Sequence, residues 1–357
     1  MSKVLYLLGA GASFGKRAEE PLEFEIDKIT NECHVQGKDV CANILSGLPI
    51  VNEIPGRLSF LLQQLWNVYN IDRNKAKMSP IKRLIDDLDW LRNSVSNHAT
   101  IDTLAKKLYL TKNEHDYQRL KNGLLVFLFY EQLIHSPDPR YDSFFASVLQ
   151  ENAYDLPKNI SIISWNYDFQ LEIAYNAYVR DGYLSRLSNH HLSSHDKLSE
   201  GIYNNPYIKE DGFNLLKLNG SAFISDKEFF FNCQKGEEVN TIIELYSSLS
   251  ERNNRISFAW ERIGKQFEKR IEDCVSEAEI LVIIGYSFPF FNRQVDRLVF
   301  EKMYKLRKIY IQDPSAETVK LSLFPVLSNT QLNVSHLESK IITLPIDAKQ
   351  FFFPPEL

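Results

Sequence analysis

Six short, mostly apolar runs recur along this chain, Val4–Leu8, Ile160–Ile163, Leu215–Leu218, Ile280–Ile284, Lys308–Ile311 and Ile341–Leu344, and the first four lead directly into glycine or small polar residues. A strand with one face in water alternates apolar and polar residues, whereas a strand covered on both faces reads as a continuous apolar run. Such runs, separated by helical patterns, predict an α/β fold built on a doubly wound, Rossmann-like parallel sheet. Two-sided apolar character places Val4–Leu8 near the centre of that sheet.

Between the first and second runs the period becomes helical. Ile81, Leu84, Ile85, Leu88 and Leu91 share one helical face after Ser79-Pro80, a cap followed by a residue suited to the first turn. Leu120, Leu124, Phe127, Leu128 and Leu133 mark a second helix from about Tyr117 to Ile134. Residues 55–155 therefore read as a large helical insertion, which leaves a discontinuous core of 1–54 and 156–357. The polar stretch Gly182–Gly212, which carries His190, His191 and His195, reads as a loop over one edge of a site.

A chain of 357 residues with a formal charge of -5 and interspersed signs has no basic footprint for direct nucleic-acid binding. Cys33, Cys41, Cys233 and Cys274 are too scattered for a disulfide framework or a zinc site, which points to a reducing compartment and a metal-free protein. Lys3, Val4–Leu8 and Ala10-Gly11-Ala12 imitate a short signal peptide, but the apolar part is brief and runs into a glycine loop with a better explanation. The next apolar stretch, Ile280–Phe291, is broken by Gly285 and Pro289 and falls far short of the ~20 residues that a spanning helix requires. A cytoplasmic protein without a membrane segment is the expectation.

The strand ends carry the residues capable of chemistry. Gly9-Ala10-Gly11-Ala12-Ser13 is either an ordinary glycine turn or a loop whose N–H groups approach a pyrophosphate. Ser164-Trp165-Asn166-Tyr167-Asp168 delivers an amide and a carboxylate where ligands bind in open α/β sheets, although taken alone Asn166 or Asp168 reads better as a helix cap. Lys217-Leu218-Asn219-Gly220-Ser221 and Ile283-Ile284-Gly285-Tyr286-Ser287 close two further strands. With the topology above, all four converge on one crevice.

Taken in order, Gly-Ala-Gly-Ala-Ser, Gly47-Leu48-Pro49, Asn166-x-Asp168, Lys-Leu-Asn-Gly-Ser and Gly-Tyr-Ser resemble the nucleotide-site motifs of sirtuins, in particular the bacterial sirtuin-like domains of antiphage defence proteins, many of which degrade NAD. The resemblance spans Leu5 to about Pro314, apart from the helical insertion. It implies an NAD site in which Gly9, Ala10, Gly11 and Ser13 hold the pyrophosphate and Asn166 sits by the nicotinamide ribose. Asp168 would face the carboxamide, Gly285 and Ser287 would line the adenosine side, and Asp313 would accept from the adenine ribose. Three departures count against a deacylase: paired zinc-binding cysteines are lacking, Ile50-Val51-Asn52 stands where Asp-Phe-Arg commonly follows, and Asn219 occupies the position of the catalytic histidine. An amide cannot take a proton as imidazole does.

The implied function is an NAD glycohydrolase of antiphage defence that relies on Asn166 and Asn219; the alternative is a sensor of NAD or ADP-ribose that regulates a partner. The implied partners are the nucleotide and either a second copy of the chain or a defence protein. His190, His191 and His195 are either solvated loop residues or a substitute base. The terminal Phe351-Phe352-Phe353-Pro354-Pro355 docks either on its own fold or on a neighbouring subunit. A dehydrogenase is disfavoured, because GxGxxG spacing with a later acidic residue is lacking.

Overall fold

The computed structural model describes residues 2–13, 23–26, 33–36, 54–71, 79–150, 156–178, 192–197, 213–222, 233, 236–249, 254–328, 330, 332, 337–346 and 350–357. Along the chain these form β1 (Val4–Leu8), a 3-10 turn (Ala10–Ser13), β2 (Glu23–Ile26), β3 (Cys33–Gln36), α1 (Ile54–Ile71), α2 (Ser79–Val95), α3 (Ile101–Leu110), α4 (Glu114–Ile134), α5 (Pro139–Val148), β4 (Ile160–Ser164), α6 (Gln170–Asn176), β5 (Leu192–Asp196) and β6 (Phe213–Lys217). There follow α7 (Glu238–Ser248), α8 (Lys265–Val275), β7 (Ile280–Ile284), α9 (Arg293–Glu301), β8 (Lys308–Gln312), α10 (Ala316–Leu327) and β9 (Ile341–Leu344).

Seven strands form one parallel sheet in the order β5, β6, β4, β1, β7, β8, β9. From the central β1 the chain builds outward through β4 and β6, then crosses to β7 on the other side, so the topological switch lies at β1 and β7. All five residues of β1 and of β7 are buried, as two-sided apolar runs require. On one face Leu5, Leu7, Ile163, Leu216, Leu281, Ile283 and Ile309 join Phe267 and Ile271 of α8, Val299 and Phe300 of α9 and Val319 and Leu323 of α10 in one core. On the other face Tyr6 meets Phe144 of α5 edge to face at 5.4 Å.

The seventh strand corrects the reading of Gly182–Gly212 as loop, because Leu192–Asp196 pairs in register with Phe213–Lys217. An edge strand is held by its backbone ladder, so Leu-Ser-Ser-His-Asp needs no apolar run to take its place. This puts the backbone of His195 in β5, while His190, His191, Gly47-Leu48-Pro49 and Ile50-Val51-Asn52 lie outside the described residues.

The chain divides into two compact units, one of Met1–Ser13, Pro137–Ser221 and Ser257–Leu357, the other of Phe14–Ser136 and Ala222–Ile256. The second holds the antiparallel pair β2–β3 with α1 to α4 and α7. In it, Asn113 caps α4 by accepting from Asp116 N at 3.2 Å, and Arg57 pairs with Glu131 in a buried ion pair. These bounds differ from 55–155: α5 belongs with the sheet, and α7 joins the helical unit. An amphipathic helix shows the same period whether it packs on a sheet or on other helices, so periodicity alone does not assign α5.

The terminal aromatic run docks on its own sheet-bearing unit. Phe351 is buried against Tyr141 at 5.2 Å, Phe352 lies 4.7 Å from Tyr310, and Phe353 stacks on Phe144 at 5.7 Å. Two hydrogen bonds anchor it, from Tyr6 Oη to the Phe352 carbonyl at 3.1 Å and from Phe352 N to Gln312 Oε1 at 2.8 Å. Among the described residues, no helix is long and apolar enough to cross a membrane.

Candidate functional site

At the switch point the loops after β1 and β7 touch backbone to backbone. Gly9 N donates to Ile284 O and Gly11 N to Gly285 O, both at 3.0 Å, while Ala12 N donates to Gly9 O at 2.9 Å. A Cβ on Gly9 would lie 2.5 Å from Gly285 O, and one on Gly11 would lie 2.7 Å from Gly285 Cα. Close approach of the two loops accounts for all three glycines, and it uses the N–H groups of Gly9 and Gly11 that a pyrophosphate would need. Ala10 is the exposed member of the loop.

Asn166 and Asp168 follow β4, and Asn219 and Ser221 follow β6, at matching offsets, because Ser164 and Lys217 are register partners. Both hydrogens of the Asn166 amide are used: Nδ2 donates to Gly9 O at 2.9 Å and to Ser13 Oγ at 3.1 Å. A carbonyl can only accept, so this fixes the amide orientation and leaves Oδ1 as the atom of Asn166 without a partner. Asn219 repeats the device, with Nδ2 donating to Trp165 O at 3.4 Å. Asp168 lies just before the Phe169 cap position of α6, and its Oδ1 accepts from Gln170 N, the first helical N–H, at 3.0 Å. Asn166 does not cap.

What remains is a set of buried acceptors. Asn166 Oδ1, Asp168 Oδ2, Asn219 Oδ1 and Ser221 Oγ are all inaccessible to water and have no hydrogen-bond partner. The residues that carry them are no more than 4% exposed. Each such group costs about 1–3 kcal/mol unless a water or another donor reaches it, and these four gather on two adjacent strand ends. Burial pushes the Asp168 carboxyl up to about 6, against the opposing pull of Lys217. The Lys217 ammonium donates to the Asp168 carbonyl and pairs with Glu172 at 3.3 Å.

A second polar knot ties the end of β4 to the end of β7. Asp296 of α9 accepts from Trp165 Nε1 at 3.1 Å and from Tyr286 Oη at 2.8 Å, while Asn292 Nδ2 donates to Tyr286 Oη at 3.1 Å. Trp165 stacks on Tyr286 at 5.9 Å. Burial raises the Asp296 carboxyl to about 8. Just beyond Tyr286, Phe288 is buried with φ of 55°, a left-handed conformation costly for an aromatic residue.

Gly9, Gly11, Ser13, Asn166, Asp168, Asn219 and Gly285 are thus linked by contacts or neighbouring strand ends. Two residues stand apart from this cluster. Ser287 is exposed, and Asp313 Oδ1 accepts from Ser315 N at 2.7 Å, in the turn that leads into α10. Sequence reasoning missed Tyr141, whose hydroxyl lies 2.5 Å from Ser13 Oγ, and Asp296. Asp296 left a signal, since it lies three and four residues before Val299 and Phe300 and so interrupts the buried stripe of α9. Tyr141 left none, because beside Phe144, Phe145 and Val148 it reads as one more core aromatic. Comparison of the sequence with models of known families gives no match, and comparison with curated proteins gives none either.

Proposed function

We propose that the chain binds NAD at the carboxyl ends of β1, β4, β6 and β7 and hydrolyses its nicotinamide–ribose bond, as a sirtuin-like cytoplasmic hydrolase of antiphage defence. The observation that carries this reading is the set of four buried, unpartnered acceptors on the β4 and β6 strand ends. Ribose hydroxyls and a carboxamide N–H are donors that would satisfy them. The engaged N–H groups of Gly9 and Gly11 leave Ala10 as the part of the loop open to the pyrophosphate.

In the proposed reaction the bond from the ribose C1′ to the nicotinamide nitrogen breaks, its electron pair leaves with neutral nicotinamide, and water adds at C1′. Acceptor oxygens stabilise the positive charge that develops on the ribose. Asn166 and Asn219 contribute through Oδ1, and the water proton passes to Asp168 or to solvent. Asp168 can take a proton only when ionised, so turnover should fall as the pH drops through about 6. Asn219 offers no base, which keeps deacylation outside this reading.

Nicotinamide release and NAD affinity measured together test the proposal. Asn166→Ala is expected to lower release on the order of a hundredfold or more. It also removes one hydrogen bond each from Gly9 O and Ser13 Oγ, for a stability loss of about 1–3 kcal/mol. Asn219→His is expected to raise the rate by adding an imidazole. Unchanged release in Asn166→Ala removes that residue from the chemistry. NAD or ADP-ribose binding without any release favours the sensor, which Asn219 in place of a base also suits. Neither binding nor release overturns the NAD reading.

A further inference from the structure

We infer that Tyr141 and Ser13 form a positioning pair that, together with the Gly9 carbonyl, holds the Asn166 amide with Oδ1 toward the ligand. This rests on the proposed role of Asn166 as a ligand-facing residue, but the pair is defined by its own geometry. Ser13 is fully buried, and its hydroxyl meets Tyr141 Oη at 2.5 Å and Asn166 Nδ2 at 3.1 Å. Tyr141 reaches it from α5, which starts sharply because Asp138 Oδ1 accepts from Arg140 N at 2.9 Å and Pro139 fills the first turn. Phe351 closes over the Tyr141 ring at 5.2 Å, and Arg140 Nη2 donates to Gly11 O at 2.7 Å, so α5 grips the glycine loop at two points.

A serine hydroxyl has one proton and two lone pairs. Ser13 also exerts a small lowering pull on the Asp168 carboxyl, against the larger effect of burial. Its lone pairs can accept from Asn166 Nδ2 and from Tyr141 Oη. Tyr141 can fill the second place because burial and the nearby Asp168 charge keep its phenol protonated. The bond from Asn166 Nδ2 to Ser13 Oγ can run in one direction only, because the amide nitrogen does not accept. Rotating the Asn166 amide would turn Oδ1 onto Gly9 O and set two acceptors against each other. Removal of the Tyr141 hydroxyl frees the Ser13 rotor and loosens that constraint. Both residues act through Asn166 and Asp168, so they are positioning residues.

The test has one arm that needs no activity and one that does. In 15N-labelled protein the Asn166 side-chain amide is identified by its loss in Asn166→Ala. Its hydrogen-exchange protection is expected to drop about tenfold or more in Tyr141→Phe and in Ser13→Ala. In the second arm, Tyr141→Phe is expected to lower kcat for nicotinamide release about tenfold with KM within about twofold. The double variant with Asn166→Ala should be no slower than Asn166→Ala alone. Unchanged amide protection in both single variants overturns the inference, as does a double variant whose losses multiply. If the unmodified protein neither binds nor cleaves NAD, the function proposed above fails and the exchange arm alone decides the positioning pair.

Discussion

Gly285→Ala is expected to prevent stable folding or to cost more than about 4 kcal/mol, a size that only backbone collisions and comparable lesions reach. A Cβ at this position would lie 2.4 Å from both Cα and C of Gly11 and 2.5 Å from Ala12 N, all main-chain atoms of the neighbouring loop. No side-chain rotation can relieve such contacts, and Gly285 also has φ of +59°. Gly236→Ala separates the two causes, because Gly236 has φ of +96° but nothing within 4 Å of its would-be Cβ. Its expected cost is the conformational one alone, about 1–2 kcal/mol. Urea denaturation of both variants is the measurement. Equal losses would mean that the loops after β1 and β7 can part without penalty and do not meet backbone to backbone.

Asp296→Asn is expected to stabilise the protein at alkaline pH. The folded Asp296 carboxyl titrates at about 8, against an ordinary value of 3.8, with burial as the main cause. A group whose folded pKa is raised contributes stability that is fully present below its unfolded pKa and is lost as pH rises through the folded value. The relevant window therefore runs from about 4 to about 8. Across it the wild type progressively loses stability on the order of 5 kcal/mol from this one group, at about 1.4 kcal/mol per pKa unit. Asparagine keeps a carbonyl oxygen for Trp165 Nε1 and Tyr286 Oη and carries no charge to bury. Chemical denaturation from pH 5 to pH 9 should show the variant gaining on the wild type as pH rises. A variant less stable by a constant amount at every pH would show that the carboxylate is not paying a burial cost.

Much of the architecture was legible because its signals are local. The continuous apolar runs of Val4–Leu8 and Ile280–Ile284 place their strands in the sheet interior, since only a strand covered on both faces tolerates that composition. Ser79-Pro80 and the stripe behind it locate α2 for the same reason. Asn166, Asp168 and Asn219 stood out because a parallel sheet gathers its strand ends, so position along the chain already implies a common crevice. The edge strand Leu192–Asp196 was not legible, since backbone pairing holds it and no side-chain pattern reports that.

Hydrogen-bond partners belong to the tertiary structure alone. In the sequence Asn166 is an amide that could donate and accept; only the approach of Gly9 and Ser13 spends its donors and leaves one oxygen. Gly9, Gly11 and Gly285 read as a phosphate-loop signature, yet the contact that demands them is between two loops more than two hundred residues apart. Tyr141 and Asp296 also depend on distant partners, Ser13 at 128 residues for one and Trp165 at 131 for the other. Residue type and spacing report which groups reach the end of the sheet, because those follow from local propensity and burial. Which atom each group presents there depends on neighbours that only folding brings within 3 Å.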